Sequence, residues 1–212
     1  MTRLRHVIAR LIGAGLLHFR QSRFGPMRFV FQERKAAEAA AHLLQMGRGT
    51  MPYMKLLKLM YLADRRTLIE TGFPITGDSM ISMERGTNLS ASYDRARNVR
   101  PIVMSPWTEY IGPPQGKDVS LKQPPPRVGK LSRYEIRILG EVFAEHGHLT
   151  QWELQELTHA LPEYQDPQRG SRPIDPVKIL KHELKSDEQV AWRVKLAESF
   201  YETDKRQVSN RT

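Results

Sequence analysis

The sequence predicts a mainly α fold with a small β element (α+β). It is a compact multi-helix domain with a short strand or hairpin insertion and a helix-turn-helix-like C-terminal half. Three observations predict this. "ERKAAEAAAHLLQM" (33–46) and "MPYMKLLKLMYLADRRTLIE" (51–70) are rich in strong helix formers. The second half is punctuated by capping boxes, in which Ser or Thr is followed three residues later by Glu or Gln. Between the halves, "PITGDSMISM" (74–83) joins a Gly-Asp turn to β-tolerant residues.

The elements follow in order. "MRFVFQ" (27–32) reads as a short strand or an extended lead-in to the alanine-rich helix 33–46, which Gly47 and Gly49 stop. Thr50 is the expected N-cap of the second helix, with Pro52 in its first turn and Gly72 at its end. After the turn and strand of 74–83, a short helix is expected over 88–97, with Leu89, Tyr93 and Ala96 on one face. Residues 98–130 read as irregular and proline-rich, with Trp107, Tyr110 and Ile111 packed inward and a strand in "KDVSL" (117–121). Ser132–Glu135 and Thr150–Glu153 are capping boxes with hydrophobic staples Leu131–Ile136 and Leu149–Leu154, and Gly147 ends the helix between them. Asp175 and Pro176 open a further helix, and "SDEQ" (186–189) caps the last one, whose stripe is Val190, Val194, Ala197 and Tyr201.

The 212 residues are organised as one domain, 27–202, preceded by a basic arm (1–26) and followed by a polar tail (203–212) that should fray. The net charge of +10 is unevenly placed: Arg3, Arg5, Arg10, Arg20 and Arg23 lie in the arm, which has no acid, and the rest of the chain is +5. The arm can be read as a leader, as an amphipathic arm for a membrane surface or nucleic acid, or as an upstream extension with Met27 the natural start. The last is favoured, since no A-x-A-like site follows its apolar centre. No apolar run approaches the ~20 residues of a membrane span. The absence of cysteine excludes disulfides and thiolate metal sites.

No nucleophile elbow, phosphate loop, zinc-protease helix or dinucleotide fingerprint is present, so neither enzyme activity nor a cofactor is expected. His146, His148 and His159 are too weakly patterned for a metal site, and Glu153, Glu156 and Glu163 read as caps and solvated faces. The segments 132–146 and 150–160 have the outline of a helix-turn-helix, and Gln151 and Gln155 are of a type that reads bases. Yet 150–166 holds Glu153, Glu156, Glu163 and Asp166 without a Lys or Arg, which opposes phosphate contact. A DNA-binding transcriptional regulator is therefore the alternative to a protein-binding module.

"YMKLLKLMYLADR" resembles the K-L-x-K-L-x-Y-L-A-D helix of the Panacea domain, the SocA-like antitoxin family. "FPITGDSMISMERG" resembles its G-x-P-I-x-G-D turn and strand, and "GTNLSASYDRAR" its G-P-V-x-S-x-x-Y-D segment. "LSRYEI…LTHALPEY" resembles its L-S-x-x-E helix leading into L-T-H-x-x-P-E-[WY]. The resemblance covers about 29–200. It departs from the pattern at Gly86-Thr87-Asn88, where the family's Gly-Pro-Val is replaced, which unsettles the expected turn or alters partner choice. The resemblance implies a cytoplasmic bacterial or prophage antitoxin without catalysis. Such a protein binds a cognate protein toxin encoded adjacently, and some members act as adaptors that deliver the toxin to an AAA+ protease.

The candidate partner-binding residues are Lys58, Tyr61, Asp64, Arg85, Gly86, Tyr93 and His159, placed around one polar-lined groove. The competing reading is a buried hydrogen-bonded network that fixes the fold, because buried charges persist only when paired. Lys55 should extend its stem and keep its charge in water. Lys58 and Asp64, six apart, fall on different faces and should find different partners.

Overall fold

The apolar helix expected over 51–70 is the axis of the molecule, and this explains why it lacks a polar face. The structure, a computed structural model, describes residues 24, 25, 27–99, 103–184 and 186–209, the last six as backbone. Its helices are α1 (Glu33–Met46), α2 (Tyr53–Thr71), α3 (Ser90–Ala96), α4 (Pro106–Tyr110), α5 (Arg133–His146), α6 (Gln151–His159), α7 (Pro176–Leu184) and α8 (Asp187–Ser209). Its strands are β1 (Thr50–Pro52), β2 (Met80–Met83), β3 (Gly86–Leu89), β4 (Asp118–Ser120) and β5 (Ser171–Pro173). Helix α2 is buried without a break from Leu56 to Asp64 and packs against α1, α5, α6, α7 and β3. A helix enclosed on every side is apolar all round.

The start of α2 differs from the sequence expectation. Thr50 is not its cap: 50–52 pair antiparallel with 118–120, and Thr50 Oγ1 donates to Ser120 Oγ. The Tyr53 N–H donates to Lys117 O. A strand pairing from a distant segment takes up donors that a cap would otherwise serve. The strand in "KDVSL" is present as β4, and Trp107, Tyr110 and Ile111 are buried as expected. Within the supposedly irregular stretch, α4 is capped reciprocally by Ser105 and Thr108, a box hidden from the sequence by Thr at the Glu/Gln position. Ala36, Ala37, Ala39, Ala40 and Ala41 are buried, letting α1 approach its neighbours closely.

Residues 27–32 form an extended lead-in outside the sheets, and the Gln32 N–H donates to Thr76 O. Strands β2 and β3 form a hairpin in the register Met80↔Leu89 to Met83↔Gly86, with Glu84 and Arg85 at its tip. The third strand of this sheet, β5, was not expected; it pairs with β2 and ends at Pro173, which the sheet tolerates at an edge. The helix expected from 88 begins at Ser90, because 88 and 89 belong to β3. Its cap comes from far away: Asp78 accepts from the Ala91 and Ser92 N–H groups and from the Ser92 hydroxyl.

The C-terminal half follows its punctuation. Both capping boxes close, Ser132 with Glu135 and Thr150 with Glu153. Asp175 Oδ1 accepts from the Val177 N–H and Ser186 Oγ from the Gln189 N–H. Val190, Val194 and Ala197 are buried, with Tyr201 half-buried on the same stripe. Helix α8 runs on to Ser209 where a frayed tail was expected, since no Gly or Pro interrupts 187–209. Apart from Phe24 and Gly25, the basic arm lies outside the described residues.

Candidate functional site

The expected site residues do not share one groove; α2 distributes them over separate places. Lys58, Gly86 and His159 meet where α2 and α6 pack on the hairpin. Lys58 is fully buried, and its Nζ donates to Thr87 O at 2.6 Å. Burial pushes its ammonium down to about 7. Gly86 adopts φ +86°, and a Cβ there would collide with Thr158 Oγ1 and lie 2.8 Å from Lys58 Nζ. Glycine is required twice over, by the backbone and by the space. The His159 ring stacks on Tyr164 at 4.5 Å, with Nε2 3.2 Å from Glu84 O.

Tyr61 belongs to a second cluster. Its hydroxyl donates to Glu163 Oε1 at 2.7 Å, and Arg65 grips both oxygens of the same carboxylate, at 2.8 and 3.2 Å. Arg65 also reaches Glu183 Oε1 at 2.6 Å, so the cluster ties α2 to α7. Burial, reinforced by the Glu163 charge, pushes the Tyr61 hydroxyl well up. The reading of Glu163 as part of a solvated face is thus overturned: it is buried, and Arg65 compensates it.

Asp64 makes a third. Its Oδ1 accepts from the Thr76 N–H at 3.1 Å and its Oδ2 from the Thr76 hydroxyl, which in turn accepts from the Asp78 N–H. Burial pushes the Asp64 carboxyl up to about 7 even against these bonds. The loop is locked further at Gly77, φ +64°, where a Cβ would strike Val30 O. Lys58 and Asp64 therefore do occupy different faces with different partners. Lys55 keeps its Nζ near the surface, donating to Gly147 O.

Only Arg85 and Tyr93 open onto a surface cavity, of about 380 Å³, which Tyr53, Met83, Asn88 and Arg97 also line. Tyr53 and Tyr93 meet edge to face at 6.5 Å. Arg97 lies over the Tyr93 ring at 5.1 Å and donates to its hydroxyl. The departure from Gly-Pro-Val leaves the hairpin in regular register but has a chemical cost: Asn88 Oδ1 is buried without a hydrogen-bond partner among the described residues.

Sequence reasoning missed Asp78, Thr76, Arg65 and Glu38. Buried Glu38 accepts from the Lys130 and Leu131 N–H groups ahead of α5. Glu163 had a signal, the Pro-Glu that follows "LTHAL"; Glu38 had none beyond an acid among alanines. Among the described residues no group of three or more His, Asp or Glu side chains is placed to hold a metal, and no helix is long and apolar enough to cross a membrane.

The family model described as antitoxin SocA-like, Panacea domain, matches residues 56–164, just over half of the chain and a span that contains every candidate site residue. The chain belongs to that family. Comparison with the curated proteins and with the solved structures gives no match. Membership supports an antitoxin-type role, with a toxin as partner in general.

Proposed function

We propose that this protein neutralises one cognate protein toxin by binding it directly, without catalysis, through the face that carries Arg85 and Tyr93. One observation carries this reading. Tyr53, Met54 and Arg85 line both the 380 Å³ cavity and a neighbouring cleft that reaches Lys117, Gln151, Trp152 and Gln155. Trp152 is 54% exposed. Trp, Tyr and Arg are the residues that dominate binding energy at protein interfaces. Lys58, Tyr61, Asp64 and Gly86 are buried, so in this reading they hold the face in shape rather than touch the toxin. His159 braces the hairpin tip from below.

The DNA-binding alternative is less well supported. The exposed side of α6 presents Glu153 and Glu156 beside Trp152, where phosphates would have to come close. Delivery to an AAA+ protease is compatible with the same face, since an adaptor must also grip its toxin.

Co-expression with the product of the adjacent reading frame tests the proposal. Growth rescue and co-purification are expected, with rescue lost in Arg85→Glu and Tyr93→Ala at unchanged melting temperature. Toxin half-life in cells lacking the protease separates delivery from simple neutralisation. Failure to rescue, together with a mobility shift that survives physiological salt, would replace the antitoxin reading with the regulator one.

A further inference from the structure

The cavity at Arg85 has the size of a ligand site, in the usual range of about 300–1,000 Å³, and its lining has an unmet chemical need. Asn88 is fully buried in that lining. Among the described residues its Oδ1 lacks a partner, and its Nδ2 reaches only Met83 Sδ at 3.5 Å, a weak acceptor. A carboxamide offers one acceptor and two donors, the complement of a peptide group. Rotation about its terminal torsion, which is broad for Asn, turns it without moving the strand.

Above it the walls are aromatic, Tyr53 and Tyr93, and the rim is basic. Arg97 is held in place by Tyr93, while Arg85 is exposed and has no ion-pair partner among the described residues. Glu84 is the acid of the lining, and its charge acts on Tyr164, whose hydroxyl burial, Asp166 and Glu84 push up. The adjoining cleft adds Lys117. Among the residues that line cavity and cleft, Arg85, Arg97 and Lys117 outnumber Glu84, while Glu153 and Glu156 of α6 lie outside both linings, so the fitting occupant is negative.

We infer that this cavity is the subsite for an extended acidic segment of the toxin. The Asn88 amide pairs with the segment's backbone, Arg85 and Arg97 with its carboxylates, and the two tyrosine rings with its apolar atoms. Charge-assisted bonds from arginine to carboxylate are the strong contacts of such a site, and the buried amide sets the register. This deepens the antitoxin reading and rests on it.

The test uses the full chain and the variants Asn88→Val and Arg85→Glu/Arg97→Glu. They are compared by growth rescue, by thermal melting, and by fluorescence anisotropy with a labelled Gly-Glu-Asp-Phe-Glu-Asp peptide and a counterpart carrying Lys at each acid. Saturable binding of the acidic peptide alone is expected, weakened at least tenfold in both variants. Asn88→Val should melt at the same temperature or higher, since it removes an unsatisfied group. The double charge reversal involves exposed residues, so it remains informative if Asn88→Val misfolds. Absence of saturable acidic-peptide binding, equal binding of the basic peptide, or undiminished binding in folded variants overturns the inference. Each of these leaves direct neutralisation standing wherever the wild-type chain rescues growth. Absence of rescue by the wild type defeats the antitoxin reading itself, and the anisotropy arm still decides the chemistry of the cavity.

Discussion

Lys58 and Asp64 lie less than two turns apart on one helix, both fully buried, and their surroundings are finished to different degrees. At the Asp64 end every carboxylate oxygen has a donor, from Thr76 to Asp64 and from Ala91 and Ser92 to Asp78. The loop that supplies Thr76 and Asp78 thereby joins the lead-in, α2 and α3. At the Lys58 end an ammonium with three donors has one hydrogen bond among the described residues, and Asn88 Oδ1 on the adjoining strand has none. An unsatisfied buried group costs about 1–3 kcal/mol. The complete cluster fixes the fold; the incomplete one borders the cavity, where a partner can complete it. Stability has been given up on the side proposed for binding.

The largest effect should come from closing the space at the incomplete end. Gly86→Ala forces a side chain into a left-handed backbone, about 1–2 kcal/mol, and into Thr158 and Lys58, about 1–3 more. A loss of roughly 2–5 kcal/mol is expected in urea unfolding. A loss below 1 kcal/mol would mean the hairpin is free to shift away from α2.

Glu163→Gln attacks a finished cluster instead. It leaves the Arg65 guanidinium, only 13% exposed at the side chain, without its bidentate partner. Removing one member of a buried pair costs about 3–5 kcal/mol when the other charge is left alone, and the partial exposure of Arg65 and its remaining bond to Glu183 put the expectation at about 3 or below. Tyr61→Phe, which removes only the hydroxyl, should cost about 1 kcal/mol. Equal losses would show that Tyr61 and not Arg65 holds the carboxylate.

The two charges should also leave opposite marks on stability as pH changes. Asp64 is raised to about 7, so the folded chain keeps a proton that the unfolded chain releases. Its contribution is complete below the unfolded value of about 4 and is lost as pH rises to about 7. Lys58 is lowered to about 7, so the folded chain lacks a proton that the unfolded chain holds. Its contribution is complete above the unfolded value of about 10.4 and is lost as pH falls to about 7. Each limb should approach about 1.4 kcal/mol per pH unit, giving a minimum near neutrality. Asp64→Asn should flatten the acidic limb alone and Lys58→Met the alkaline limb alone. A variant that leaves its own limb intact contradicts the assignment.

The smallest effect on stability belongs to the residue with the largest proposed role in binding. Arg85→Glu should change unfolding free energy by no more than about 0.5 kcal/mol, as an exposed substitution does. Neutralisation should nevertheless be lost. A variant that both unfolds and fails to neutralise would move Arg85 from the interface to the fold.

Legibility in the sequence followed the distance over which each feature is decided. The capping boxes at Ser132 and Thr150 and the Asp175 cap depend on atoms within one turn, and all three form as read. The cap of α3 is Asp78, from another element, so the start of that helix was misjudged. The start of α2 was misjudged for the same reason, because β4 captures 50–52. Strand β5 carries no alternating pattern, all three of its side chains being exposed, and only its pairing with β2 makes it a strand. Apart from Gly86, the candidate residues carry polar groups that need partners, and the sequence does not sort those that find them from those that open onto the cavity.

By itself the sequence determined the longer helices, the caps at Ser132, Thr150 and Asp175 and the separation of Lys58 from Asp64, because helical periodicity and local capping act between residues a few positions apart. It also determined the family, through motifs kept in order along 56–164. Only the tertiary structure decided that Thr76 satisfies Asp64, that Arg65 neutralises Glu163 some 98 positions away, and that Asn88 Oδ1, in the cavity lined by Arg85 and Tyr93, has no partner among the described residues. A buried polar group reveals its need in the sequence, but whether that need is met depends on which distant backbone or side chain the packing brings within about 3 Å.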